Sequence, residues 1–351
     1  MQLILHLGMG KTGTSALQAA LARLRPGLLE RGILYPDLVP GKVHHNQLAM
    51  GLMRMEHLAR LPLQACGGEE RRAEEIFRGL WDRLRAEIDR SRPETVVISG
   101  ENLFRDPIRC MRRDPRTLFS EITAEIRPVV YLRRPSAYHL SVEQQHLKAS
   151  GTFQPPAPAR WRPAIEGFER VFGPGLEVLA YERGRLQGAD IRVDFFARFL
   201  PQALPLLETL PPSEENRSVS AEAMEILQRY RRLWHPDADH RATADTREIT
   251  AALRAVDAET GGAKPRLRPE IARFIDQGSV DLLWLRDRFG ITFDGVDYEA
   301  IREPDPAEAD RFAGISAVRE LCPVDPARVE HALLRALKEL LARPSRARPD
   351  S

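Results

Sequence analysis

The stretch LILHLGMGKTGTSALQ, residues 3–18, decides how the rest of the sequence is interpreted. A short apolar run stops at Gly8, and glycines, one lysine and hydroxyl residues follow before apolar residues of helical spacing begin at Ala16. This order predicts a strand, a glycine loop and a helix, with Thr14 or Ser15 capping the helix. Such a loop directs backbone N–H groups and the positive end of a helix dipole at one point, which suits a phosphate. An ordinary tight turn between a strand and a helix is the simpler alternative.

Composition narrows the class of protein. The chain has 351 residues and 52 basic against 50 acidic side chains, a formal charge of +2, so no global field favours nucleic acid. The three cysteines lie far apart and form no metal-ligand spacing. The apolar run at the N-terminus is too short for a signal peptide, and no stretch approaches the roughly 20 apolar residues of a membrane span. We therefore expect a cytoplasmic protein with no membrane span and no nucleic-acid partner.

Two further apolar runs, at 95–98 and 129–132, are rich in β-branched residues and predict buried strands. The first is followed by Ser99, Gly100 and Glu101, and the second by Arg133. Strands alternating with helices predict an α/β fold with a central, mostly parallel sheet. In such a sheet ligands bind beyond the carboxyl ends of the strands, where these polar residues fall.

The sequence also predicts how the chain is divided. Residues 1–212 form the α/β core, residues 213–343 form a helical C-terminal region that packs on it, and the polar tail 344–351 is disordered. Residues 48–63 are expected to form one helix. The Pro- and Gly-rich segment 151–163 is expected to be a mobile loop that covers a ligand.

Among phosphate-binding loops the Walker A pattern is the first comparison. Gly10-Lys11-Thr12 matches its second half, but its first glycine would fall at Leu5. A nucleotide triphosphatase also needs an apolar strand that ends in Asp for magnesium, whereas these strands are followed by Ser99 and Arg133. An ATP-dependent kinase or phosphotransferase therefore stays as the alternative.

The loop from Gly8 to Ser15 resembles the 5′-phosphosulfate loop of sulfotransferases that use 3′-phosphoadenosine 5′-phosphosulfate (PAPS). In that family a second motif consists of a strand ending in Arg, often followed by Pro, with a Ser eight residues after the Arg. Here Arg133, Pro135 and Ser141 have that spacing. The resemblance covers roughly residues 1–200, and the chain is similar to the bacterial branch of the family.

The resemblance implies a P-loop-type three-layer sandwich, PAPS as donor, 3′-phosphoadenosine 5′-phosphate (PAP) as product, and no requirement for metal. Arg133 and Ser141 would hold the 3′-phosphate, and Lys11 would stabilise the leaving phosphate as catalytic residue. The residues that would cradle the 5′ end are Gly10, Lys11, Thr12, Gly13, Thr14 and Ser15.

Sulfuryl transfer also needs a base that removes the proton of the acceptor hydroxyl. Glu101 is favoured by its position after a strand, but its pKa must be raised by burial. His44 and His45 have a more suitable intrinsic pKa and stay as candidates. The acceptor is expected to be a small molecule or a glycan. A non-catalytic anion-binding scaffold is the alternative from another class.

Two other patterns receive the simpler interpretation. The segment from His235 to His240 has metal-ligand residue types, but a Pro-containing loop of this kind is usually only solvated. A stripe of leucines near the C-terminus is expected to pack on its own domain, with a homodimer as the alternative. Its members are Leu333, Leu334, Leu337, Leu340 and Leu341.

Overall fold

A computed structural model describes residues 1–211 and 218–342 of the chain. The predicted tail 344–351 and the predicted domain boundary at 212 and 213 lie outside these residues.

The centre of the fold is a sheet of five parallel strands in the order β2-β3-β1-β4-β5. The strands are β1 (Gln2–Leu7), β2 (Ile33–Leu34), β3 (Thr95–Gly100), β4 (Ile126–Leu132) and β5 (Glu177–Ala180). The predicted α/β class with a parallel central sheet is confirmed. Because β1 lies between β3 and β4, the carboxyl ends of these three strands are neighbours.

Helices connect and follow the strands. They are α1 (Thr14–Arg23), α2 (Arg25–Leu29), α3 (Ala49–Leu52), α4 (Arg60–Ala65), α5 (Glu70–Ser91), α6 (Pro107–Cys110), α7 (Pro115–Ser120), α8 (Pro135–His146), α9 (Arg162–Phe172), α10 (Ile191–Phe199), α11 (Ala221–Trp234), α12 (Ala244–Thr260), α13 (Pro269–Gln277), α14 (Asp281–Phe289), α15 (Pro306–Ala313), α16 (Val318–Leu321) and α17 (Pro326–Ala342). Short 3₁₀ turns occur at Asn46–Leu48, Met55–His57, Glu101–Leu103, Gln187–Ala189, Pro201–Thr209 and Tyr298–Ala300.

The single helix predicted over 48–63 is wrong. The chain forms α3 and α4 instead, because Met53 adopts an extended conformation between them. Met53 pairs antiparallel with Met111, and the N–H of Arg54 donates to the carbonyl of Cys110 at 2.9 Å. This long-range pairing outweighs the local helical pattern.

The described chain forms two compact units, each built from separate segments. The first comprises residues 1–134, 160–211 and 281–294, and the second comprises residues 135–159, 218–280 and 295–342. Segments from both sides of residue 212 therefore contribute to each unit.

The core of the first unit packs helices on the sheet. Leu17 and Leu21 of α1 lie with Phe195 and Phe196 of α10 against Ile4 and other sheet residues, all fully buried. The spacing of the apolar residues in α1 turns one face toward the sheet, as the sequence pattern predicts. This packing fixes the start of α1 just beyond the end of β1.

The second unit is helical, and α11, α12 and α17 pack around its core. Residues 151–159 have no regular secondary structure, but hydrogen bonds anchor them within this unit. The carbonyl of Gly151 accepts from Gln228 Nε2 at 3.3 Å and from Arg232 Nε at 3.0 Å. This part of the predicted mobile loop is thus tied to α11.

The leucine stripe does not pack as expected. α17 turns Val329, Ala332 and Ala336 toward the core, and only one of the five stripe leucines, Leu340, packs against it. The other four are exposed: Leu333, Leu334, Leu337 and Leu341. No helix within the described residues is long and apolar enough to cross a membrane.

Candidate functional site

The glycine loop between β1 and α1 is braced by its own hydroxyl groups. Thr12 Oγ1 and Thr14 Oγ1 both donate to the carbonyl of Met9, at 2.6 and 3.2 Å, and both threonines are buried. Lys11 and Gly13 have φ values of +67° and +73°, in the left-handed region. A lysine in this region is uncommon, and such residues cluster at binding sites.

Helix α1 begins without a side-chain cap, so the predicted cap by Thr14 or Ser15 is wrong. Gly13 occupies the N-cap position in the left-handed conformation, and its carbonyl accepts from the N–H groups of Ala16 and Leu17. Thr14 instead uses its hydroxyl inside the loop, and Ser15 is exposed. The first amides of the helix therefore depend on groups other than a cap side chain.

Two glycines of the loop are required by close neighbours. A Cβ on Gly8 would lie 3.2 Å from the Cα of Glu101, and a Cβ on Gly13 would lie 3.0 Å from the ring of Tyr181. Gly10 is different, since a Cβ there would meet no atom within 4 Å. The loop thus contacts the segments that follow β3 and β5, and it leaves open space beside Gly10.

Lys11, Glu101 and Arg133 interact at this edge of the sheet. Arg133 Nη1 donates to the carbonyl of Lys11 at 2.9 Å, which links the ends of β1 and β4. Burial lowers the pKa of Lys11, while the charge of Glu101 raises it and that of Arg133 lowers it. Burial raises the pKa of Glu101, and the charge of Lys11 acts against this rise. Two cations and one carboxylate are therefore held half-buried in electrostatic contact.

The guanidinium of Arg133 is oriented by the carbonyl of Lys11 and the ring of Tyr181 rather than by a carboxylate. Its guanidinium carbon lies 5.8 Å from the centre of the Tyr181 ring, a cation–π distance. Burial lowers the pKa of Arg133, and the nearby Tyr181 raises it. Within residues 1–211 and 218–342, no Asp or Glu oxygen lies within ion-pair distance of Arg133. Its positive charge is thus left without a direct counter-ion there.

Tyr181 is a site residue that the sequence analysis missed. It directly follows β5, and its N–H donates to the carbonyl of Leu132 at the end of β4. It occupies the kind of position that singled out Glu101 and Arg133, at the carboxyl end of a strand. The aromatic ring obscured it, because tyrosine is enriched inside strands.

Both histidine candidates accept a backbone hydrogen bond, and burial lowers the pKa of both. His45 is buried, its Nδ1 accepts from the N–H of Ser99 at 3.0 Å, and its Nε2 lies 3.0 Å from the carbonyl of Pro36. Burial lowers the pKa of His45 to about 4. His44 is half-buried, and its Nδ1 accepts from the N–H of Asn46 at 3.4 Å. Burial lowers the pKa of His44 as well.

Beneath the loop, Ser99 joins several elements. Its hydroxyl lies 2.8 Å from His6 Nδ1 on β1 and accepts from Gln18 Nε2 on α1 at 3.0 Å. His6 is fully buried, and burial lowers its pKa to about 4. The sequence analysis did not single out Gln18 or His6, because a buried polar junction leaves no local pattern.

Ser141 lies half-buried within α8, a helix of the second unit. Its predicted partnership with Arg133 stays a prediction.

The segment from His235 to His240 forms a hydrogen bond within its own unit: His235 Nε2 lies 2.7 Å from Asp245 Oδ2. Across the part of the chain that the structure describes, no group of three or more His, Cys, Asp or Glu residues has metal-ligand geometry.

Comparison of the chain with protein-family models, with curated proteins and with solved structures gave no match.

Proposed function

We propose that this protein is a sulfotransferase that moves a sulfuryl group from PAPS to an acceptor hydroxyl. The observation that carries the proposal is the link between Lys11 and Arg133, whose 2.9 Å hydrogen bond joins two strand ends beside the glycine loop. A donor with phosphate at both its 5′ and 3′ positions needs two anion-binding groups, and these cations are suited to that task. The spacing of both motifs in the sequence points to the same donor.

The loop supports the 5′ end of the donor in a specific way. Thr12 and Thr14 donate their hydroxyls to the carbonyl of Met9 and so brace the loop, and the groups that contact the phosphosulfate are its backbone N–H groups, Lys11 and Ser15. The dipole of α1 adds positive potential at this point. Lys11 neutralises the charge that develops on the bridging oxygen as the sulfur–oxygen bond breaks.

Glu101 supplies the base. Its pKa is raised by burial, and a general base works best when its pKa approaches the working pH. The acceptor oxygen forms a bond to sulfur, its proton passes to Glu101, and PAP leaves with the electron pair of the broken bond. Since sulfuryl transfer depends on alignment, catalysis comes mainly from positioning and charge.

Calorimetry with PAP and, separately, with ATP and Mg²⁺ tests the donor. We expect PAP to bind and to lose affinity in Arg133→Met and in Lys11→Ala. Binding of ATP with Mg²⁺ but not of PAP would overturn the proposal in favour of a phosphotransferase. Donor binding without transfer of radioactive sulfate from PAPS to any of a broad panel of phenols, sugars and glycans would favour a scaffold.

A further inference from the structure

His45 occupies a place that a strand would otherwise fill. β2 consists of two residues and pairs with β3 only as far as Leu34 opposite Val96. Three residues further along β3, no strand among the described residues pairs with Ser99 on that side. His45 covers it twice, since its N–H donates to the Ser99 carbonyl at 2.8 Å and its Nδ1 accepts from the Ser99 N–H at 3.0 Å.

The imidazole is held in one orientation from its other end. Because Nδ1 accepts a hydrogen bond, the proton of the neutral ring is on Nε2, which donates it to the carbonyl of Pro36 at 3.0 Å. The ring of Tyr35 packs against it with 4.7 Å between ring centres. Both nitrogens are therefore engaged, and the side chain is only 2% exposed.

The segment held by His45 leads directly to Glu101. One residue beyond Ser99, the carbonyl of Gly100 accepts from the N–H of Gly8 at 3.1 Å. One residue beyond Glu101, the N–H of Asn102 donates to Asn46 Oδ1 at 3.4 Å. The backbone that carries Glu101 is thus fixed on one side by the glycine loop and on the other by His45 and Asn46.

We infer that His45 is a positioning residue for Glu101: its imidazole completes the hydrogen bonding of β3 and so holds the carboxylate beside Lys11. This inference rests on the proposed function, in which Glu101 is the base. It assigns to the base candidate His45 a different role. A side chain with both nitrogens engaged by the backbone has no free lone pair for an acceptor hydroxyl.

Four variants test this role: His45→Ala, His45→Asn, Glu101→Gln, and, as the control, His57→Ala at an exposed histidine of the same unit. His45→Ala should lower kcat by about tenfold to a hundredfold, because a small displacement of a catalytic group costs that much. Asn at position 45 offers an oxygen near the place of Nδ1, so His45→Asn should recover most of this loss. His57→Ala should leave kcat unchanged, and Glu101→Gln should lower it by roughly 10²–10⁴-fold.

The pH profile separates positioning from proton transfer. If His45 positions Glu101, the acid limb of kcat persists in His45→Asn and disappears only in Glu101→Gln. Loss of the acid limb in His45→Asn, or full activity in His45→Ala, would overturn the inference. Thermal unfolding of each variant identifies a loss of activity that is due to unfolding. If His45→Ala unfolds, the activity and pH profile of His45→Asn decide whether His45 positions Glu101.

A second readout does not depend on turnover. The Glu101 carboxyl carbon is titrated by NMR in the wild type, His45→Ala, His45→Asn and His57→Ala. We expect the titration midpoint to fall in His45→Ala, to return toward the wild-type value in His45→Asn, and to stay constant in His57→Ala. An unchanged midpoint in His45→Ala would overturn the inference. A wild type that neither binds PAP nor transfers sulfate would reject the proposed function, and this titration would then decide the inference alone.

Discussion

Each compact unit buries cationic side chains, but the two units use them differently. In the second unit Arg231 is fully buried, and its Nη2 donates to the carbonyls of Ala149 and Ala238. Its Nη1 donates to two threonines, so the guanidinium joins distant segments of the unit. In the first unit Lys11 and Arg133 are half-buried at the end of the sheet, where the charge of Glu101 raises the pKa of Lys11 against the effect of burial.

The difference shows what separates a structural cation from one that can serve a ligand. Arg231 donates to two main-chain carbonyls and two threonine hydroxyls, which come from separate segments of the unit. Arg133 donates one hydrogen bond to a main-chain carbonyl, that of Lys11, and stacks on Tyr181. These contacts orient the guanidinium without using all of its N–H donors. Removing the first kind of cation should cost stability, and removing the second kind should cost binding.

The largest expected effect is on stability. Arg231→Met removes four hydrogen bonds made by a buried guanidinium and should lower the free energy of unfolding by roughly 3–5 kcal/mol. Arg133→Met, the matched control, should change it by less than about 1 kcal/mol, because its surroundings keep access to water. Urea unfolding measures both values. Equal losses in the two variants would remove the contrast between the units.

The second effect is a pH dependence of stability in the first unit, which comes from the buried histidines His6 and His45. The pKa values of His6 and His45 are about 4 in the folded protein and should return to about 6.5 on unfolding. The unfolded chain therefore binds more protons between these values. Each histidine should contribute about 3 kcal/mol of stability that is complete above pH 6.5 and is lost as the pH falls through 4.

Urea unfolding at pH 7.5 and pH 4.5 measures this dependence. His45→Asn should reduce the difference in stability between the two pH values, whereas His57→Asn, at an exposed position, should leave it unchanged. Equal stability of the wild type at both pH values would contradict the assignment of two buried neutral histidines.

The third effect is on turnover. Lys11→Ala should lower kcat/KM for PAPS by about 10²–10³-fold, because it removes the charge that stabilises the leaving phosphate. Its melting temperature should stay near that of the wild type. Lys42→Ala, at an exposed lysine of the same unit, serves as the control. Undiminished turnover in Lys11→Ala would place the leaving group elsewhere.

The smallest effect concerns the open space beside Gly10. Gly10→Ala meets no atom within 4 Å, so the fold should accept it, as it should accept the control Gly184→Ala. If the donor approaches the loop at this point, Gly10→Ala should weaken PAP binding by roughly 1 kcal/mol, or about fivefold. Equal affinities of the two variants for PAP would show that the donor stays away from Gly10.

Much of the fold was readable from local patterns. The apolar runs at 95–98 and 129–132 became parts of β3 and β4, and the pattern after Gly13 became α1. The polar residues at the strand ends were predicted to share one edge, and Lys11, Glu101 and Arg133 do interact there. These features depend on residues close in sequence and on the general geometry of parallel sheets.

The features that were not foreseen depend on distant partners. The cap of α1 was misassigned because Gly13, in the left-handed conformation, takes the N-cap position, where side chains from Tyr181 and Ile191 leave no room for a Cβ. The contacts of His45 follow from the early end of β2, which no residue near His45 reveals. A sequence pattern states which side chains are polar, but the fold decides which backbone groups need them.

The short β2 has a consequence for the behaviour of the protein in solution near pH 4. Beyond Val96 the outer side of β3 would be an open strand edge, and such edges recruit other chains into shared sheets. His45 covers this edge with a group whose Nδ1 stops accepting hydrogen bonds once it takes up a proton. As the pH falls toward 4, we therefore expect this edge to lose its cover and the protein to become prone to intermolecular β-pairing.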